Sequence, residues 1–149
     1  MCIRDRGCWF TVEPGTNPGF LYQQNTVRDA LVAGITLNIF NKHCDRVKMA
    51  NLAQMVNVLQ SVILTEGPKM IKTPTYHVFH MYRHHQGATL LNSTLTGVGE
   101  TGIGEWKVPE VTESVSEDAE HIITVTLNNL SADEEKEIEI VIAASVIRS

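Results

Sequence analysis

Residues 13–60 read EPGTNPGFLYQQNTVRDALVAGITLNIFNKHCDRVKMANLAQMVNVLQ, and the order loop, helix, buried strand within them decides the fold class. Pro14, Gly15, Asn17, Pro18 and Gly19 open the stretch. Proline fixes φ and glycine tolerates positive φ, so this is loop chemistry, and a structureless connection spanning 11–25 is long enough to be functional. At Thr26 the pattern changes. Thr26-Val27-Arg28-Asp29 matches the S/T-x-x-D/E helix start, in which hydroxyl and carboxylate satisfy orphan backbone N–H groups. Ala30, Leu31, Ala33, Gly34, Leu37 and Phe40 then recur at helical spacing, with Lys42 and His43 in the last turn, where cations suit the helix dipole. This predicts a mostly buried helix over 26–43, with Gly34 admitting a close neighbour.

The mainly apolar run 47–53 reads as a parallel strand covered on both faces. It follows a helix directly, which is the local order of a (β/α) barrel. Gln54 falls at its carboxyl end and Asn57 follows. Gly67 and Pro68 between two extended apolar stretches predict a small hairpin within 58–73. Residues 75–86 read as a second helix with Val78, Phe79 and Tyr82 inward, closed by Gly87.

Beyond Gly87 the period becomes two. Residues 88–96, 107–114, 121–130 and 136–143 alternate apolar and polar side chains, as antiparallel sandwich strands with one wet side do. Ile123, Val125 and Leu127 share one face, and Ile138, Ile140 and Ile142 another. Four strands are few for a sandwich and leave edges open. The expected fold is therefore α/β plus β: the last βα units of a (β/α)8 barrel over 7–87, then an incomplete antiparallel β-sandwich of jelly-roll type over 88–149, with the parent chain continuing at both ends.

Composition narrows the function classes. The apolar content is 43% and the net charge −5, without the Lys/Arg cluster that nucleic acid attracts. Between Glu100 and Glu139 only Lys107 and Lys136 oppose many carboxylates, which reads as a solvated β surface. No apolar run approaches the roughly 20 residues of a membrane span. Cys2, Cys8 and Cys44 form neither a disulfide framework nor a zinc spacing, which fits reduced thiols and a cytoplasmic setting. Residues 1–6, MCIRDR, lack a signal-peptide core; they read as an adventitious leader, with no structural or catalytic weight.

Several side chains invite chemistry. His77, His80 and His84 share a helical face, but no acid or thiol completes a metal set at plausible spacing. His43-Cys44-Asp45 are adjacent residues pointing apart, not a nucleophile dyad. Gln54 offers a carbonyl acceptor and an amide donor suited to a sugar hydroxyl, on the strand end where barrel active sites lie. A strand-terminal Gln equally serves nearby backbone. Trp9 can line a sugar site or pack beneath the loop.

Residues 7–91 resemble the end of the catalytic barrel in α-L-arabinofuranosidases of glycoside hydrolase family 51. Leu52-Ala53-Gln54-Met55-Val56-Asn57 matches the family's L-A-Q-x-V-N segment, and the resemblance implies that Gln54 contacts the arabinose. Gly7-Cys8-Trp9-Phe10 matches G-x-W-[YF], which implies that Trp9 lines the same site. In the family an Asp-Glu-Trp triplet with the nucleophilic Glu precedes that motif; here Arg4-Asp5-Arg6 stand there. Asp5 occupies the slot by count with a shorter side chain and mismatched neighbours, so the role is not carried over.

The resemblance implies a parent enzyme that is retaining, with paired carboxyl groups about 5–5.5 Å apart, and that needs no metal or cofactor. It would release terminal α-L-arabinofuranosyl groups from arabinan, arabinoxylan or arabino-oligosaccharides. Both glutamates are expected upstream, so the 149-residue piece is expected to be inactive alone. The intact parent can be homo-oligomeric. Two alternatives remain at this point: a non-catalytic carbohydrate-binding β-sandwich, and a fragment of a related barrel glycosidase such as an endoglucanase.

Overall fold

The computed structural model describes residues 2–6 (as backbone), 10–53 and 55–143. Trp9, Gln54, Cys8 and residues 144–149 lie outside the described residues.

The chain begins with β1 (Cys2–Arg6), crosses through α1 (Val27–Lys42) and returns as β2 (Val47–Leu52). The strands pair in parallel, from Ile3 opposite Met49 to Arg6 opposite Leu52. This is a βαβ unit, since a parallel return needs a crossover. Cys2–Arg6, expected to carry no structural weight, thus form a ladder. Helix α1 starts as its sequence dictates: the Asp29 carboxylate accepts the Thr26 backbone N–H at 2.8 Å, half of a capping box.

The expectation that β2 is covered on both faces is corrected. Its interior residues are exposed, Met49 by 48%. Among the described residues only β1 pairs with it, and a two-stranded ribbon cannot shield either face.

After β2 come β3 (Ile63–Glu66) and β4 (Lys69–Lys72), the predicted hairpin about Gly67-Pro68. Gly67 takes φ +55 and proline fixes the next φ negative, the pattern of a type II′ turn. Asn57, itself at φ +55, clamps the hairpin base: its carbonyl oxygen accepts from Thr65 N–H at 2.7 Å and its amide donates to Thr65 Oγ1 at 2.9 Å. Helix α2 (Pro74–Tyr82) follows, capped by Thr73 Oγ1. Its last turn tightens into a 3-10 turn at Arg83–His85, so the α-helix proper ends before the predicted 86. Gly87 has φ +74, as the chain reversal requires. Ala33 and Leu37 of α1 pack on Val78 and Tyr82 of α2 to make the main apolar core, with Ala30 and Phe79 beside them.

The β-rich half departs from its expected strands. Only β5 (Thr89–Leu90) forms within 88–96. Residues 107–114 split at Glu110, giving β7 (Trp106–Pro109) and β8 (Val111–Glu117). Strand β7 hairpins with the unanticipated β6 (Glu100–Ile103). Gly102 allows this pairing, since a Cβ there would meet Trp106 O at 1.9 Å. Strand β9 (Ile123–Asn129) falls where 121–130 was predicted, and β5-β8-β9 form one antiparallel sheet. Residues 136–143 form no strand. Alternation records which faces side chains take, and a strand also needs a ladder neighbour; none of the described residues supplies one.

The predicted wet side is corrected too. By register, Thr112, Ser114 and Ser116 of β8 share a face with Thr124, Thr126 and Asn128 of β9, and this face docks on the helices. Tyr82 OH lies 2.7 Å from Asn38 Oδ1, which also accepts from Ser114 Oγ at 2.9 Å and Thr126 Oγ1 at 3.0 Å. Asn128 Nδ2 donates to Tyr82 OH at 2.9 Å, and Asn38 Nδ2 to Thr112 Oγ1 at 3.2 Å. His85 sits between Ser116 Oγ (2.7 Å) and Thr126 Oγ1 (3.1 Å). Lys42 Nζ meets the buried Glu113 carboxylate at 2.6 Å. Gly34 permits the approach: a Cβ there would fall 2.1 Å from Asn128 Oδ1. The predicted close neighbour of Gly34 is therefore β9.

Candidate functional site

The parallel register brings the carboxyl ends of β1 and β2 to the same end of the ribbon. From there the chain leaves β1 toward Trp9 and β2 toward Gln54, both outside the described residues. What surrounds the two departures is described. The long loop from Phe10 to Thr26 joins β1 to α1, and Phe10 lies under the Arg28 guanidinium, 3.6 Å from the ring centre. Met55 carbonyl oxygen accepts from Val62 N–H at 3.1 Å and Ile63 N–H at 3.3 Å, so the segment after Gln54 is fastened to the hairpin.

A cleft of about 580 Å³ opens beside β2, lined by Ala50, Asn51, Leu52, Met55, Val62, Tyr76, Phe79 and His80. It is mainly apolar with a few polar groups, the usual make-up of a small-molecule site. His80 stacks on Tyr76 with ring centres 6.0 Å apart. Arg83 Nη1 lies 2.9 Å from its Nδ1, and this guanidinium, with smaller contributions from burial and nearby cations, lowers its pKa. With the Arg83 guanidinium this close to its ring, His80 is a poor cation ligand. Among the described residues no three His, Cys, Asp or Glu side chains are grouped to hold a metal. Among the described residues that line the cleft none is a carboxylate, so this surface by itself lacks the carboxyl pair of a glycosidase. Cys44 is exposed and unpaired among the described residues.

Sequence reading overlooked the polar junction between helices and sheet. Its signal was present: Asn38 and Asn41 interrupt the apolar positions of α1, and Ser, Thr and Asn fill alternate positions of β8 and β9.

The family model of the α-L-arabinofuranosidase C-terminal domain matches residues 7–147. The chain belongs to this family. It is 50% identical over 140 residues to an intracellular exo-α-L-arabinofuranosidase of Bacteroides ovatus, covering 94% of this chain and 27% of that relative. An intracellular exo-α-(1→5)-L-arabinofuranosidase of Halalkalibacterium halodurans is 41% identical over 75 residues, 49% of this chain and 15% of its own. Among solved structures, the family 51 arabinofuranosidase of Xanthomonas axonopodis pv. citri superposes with a TM-score of 0.78 at 48% identity, over 87% of this chain and 26% of that one. The chain thus spans about a quarter of the length of these fuller matches. The family 51 resemblance read from the L-A-Q-x-V-N segment agrees with all of these, and neither the stand-alone binding module nor the endoglucanase reading is favoured by them.

Proposed function

We propose that this chain is part of a retaining, exo-acting α-L-arabinofuranosidase, in which residues 7–87, with the β1 strand that precedes them, close a (β/α)8 barrel and residues 88–149 begin its jelly-roll domain. The observation that carries the reading is the parallel β1–α1–β2 unit ending with Arg6 opposite Leu52. In a barrel of this kind the site is built at the carboxyl ends of the strands, and Trp9 and Gln54 follow two neighbouring ends. Trp9 would lie against the apolar side of the furanose ring, and the Gln54 amide would bind its hydroxyls. Both are substrate-positioning groups. The nucleophile and acid/base are carboxyl groups that the parent supplies from outside these residues, about 5–5.5 Å apart, and no cofactor takes part. The substrate is an arabinose-terminated oligo- or polysaccharide. The intracellular naming of the relatives supports a cytoplasmic setting, and no helix among the described residues is long and apolar enough to cross a membrane.

In the parent enzyme, Gln54→Ala should lower kcat/KM on a chromogenic arabinofuranoside about tenfold, the worth of one or two neutral hydrogen bonds. The chain alone should show no turnover above background. An unchanged kcat/KM in the variant would remove Gln54 from the site.

A further inference from the structure

We propose that Asn57 is a positioning residue for Gln54: by tying the segment after β2 to the β3–β4 hairpin, it sets where the Gln54 amide meets the sugar. This rests on the arabinofuranosidase reading. Asn57 makes three hydrogen bonds to β3. Its N–H donates to Ile63 O at 3.1 Å, its Oδ1 accepts from Thr65 N–H at 2.7 Å, and its Nδ2 donates to Thr65 Oγ1 at 2.9 Å. Two residues earlier, Met55 O accepts from Val62 N–H at 3.1 Å and from Ile63 N–H at 3.3 Å. Between them Val56 bridges Ile63 in parallel. Residues 55–57 therefore run beside β3 as a further row of the hairpin. Asn57 turns the chain there at φ +55, a conformation asparagine takes more readily than most residues.

This fastening bears on Gln54 through the chain itself. The β1–β2 ladder ends at Leu52, opposite Arg6, and only Ala53 and Gln54 separate Leu52 from Met55. Consecutive Cα atoms lie about 3.8 Å apart, so the ladder on one side and the hairpin on the other restrict the short span between them. The ladder anchor is set by the barrel strands. The hairpin anchor depends on Asn57, which reaches ahead in the chain to Thr65. These bonds join nearby residues of one segment, and further strands of the parent are not needed to make them. The Asn57 amide is engaged by Thr65 at both its oxygen and its nitrogen, which suits a positioning role better than a sugar ligand's. A misplacement of about 1 Å in such a frame is enough to weaken a substrate contact.

The test is a double-mutant cycle in the parent enzyme, read as kcat/KM on a chromogenic arabinofuranoside. Asn57→Gly keeps the backbone turn and deletes both side-chain bonds; it should lose about fivefold with Gln54 present. In the Gln54→Ala background the same change should cost less than about 1.5-fold, because the group it positions is gone. A general loss of folded enzyme lowers both backgrounds alike, so equal losses, or no loss in either, overturn the positioning role. Should Asn57→Gly not fold, Thr65→Val enters the same cycle, since it removes the hydroxyl and keeps the backbone bonds. It should lose about twofold with Gln54 present and nothing without it, and equal figures again overturn the proposal. A Gln54→Ala enzyme as active as wild type overturns the sugar-contact reading of Gln54 itself, and the positioning role with it.

Discussion

The two faces of the β8–β9 sheet depart from a simple order of apolar inside and polar outside. The face of Thr112, Ser114, Ser116, Thr126 and Asn128 is packed against α1 and α2, with Ser114 and Ser116 buried. The opposite face is uneven: Val111 and Glu113 at the start of β8 are buried, Val115, Ile123 and Val125 are half-buried, and Leu127 is 41% exposed. Hydrophobicity alone predicts the reverse. The polar face can be buried because its donors and acceptors meet complementary groups: Asn38 Oδ1 is within hydrogen-bond reach of three hydroxyls. Buried polar groups are tolerated when paired and costly when not. The contrast teaches that the face of this sheet against the helices is oriented by its hydrogen bonds, while the far end of its apolar face, around Leu127, stays open.

The sharpest way to break the contrast is Asn38→Leu, which keeps the branching at Cγ and removes the shared acceptor. It should cost about 3 kcal/mol in chemical denaturation by leaving hydroxyls of Tyr82, Ser114 and Thr126 short of partners. Full stability in that variant would mean that the network does not orient the sheet.

A smaller effect is expected from acid. Burial, and secondly the charge of His84, depress the pKa of His85, so the unfolded chain binds the proton first. Stability is then fully present above the ordinary imidazole pKa of about 6.5 and is lost as pH falls from there toward the lower folded-state value. Denaturation midpoints should fall over that window, and His85→Gln should flatten the slope; an unaltered slope would assign it to other groups.

The smallest effect belongs to the open face. Leu127→Thr should change stability by no more than about 0.5 kcal/mol, and a loss several times larger would show that this face is covered after all.

Local signals were legible where they act locally. Thr26 and Asp29 announced the start of α1, Gly67-Pro68 the hairpin, and Gly87 the end of the second helical segment. Gly34 announced a close approach without naming Asn128. The strand assignments failed where pairing decides. Residues 137–140 alternate charged and apolar side chains yet form no ladder with any described strand, whereas Glu100–Ile103, interrupted by Gly102, do pair. Of the candidate site, the motif around Gln54 and Trp9 was legible as sequence. The cleft beside β2 and the fastening of Asn57 to Thr65 were not, because both depend on contacts between residues distant in the chain or folded back on themselves.

By itself the sequence determined the order of loop, helix and strand and the family to which residues 7–147 belong, since capping, periodicity and short motifs are properties of neighbouring residues. Only the tertiary structure decided that a Ser/Thr/Asn face is the one laid against the helices and that Cys2–Arg6 stand in register beside β2. Burial and register are fixed by which groups satisfy one another across space, and spacing along the chain does not specify that partner.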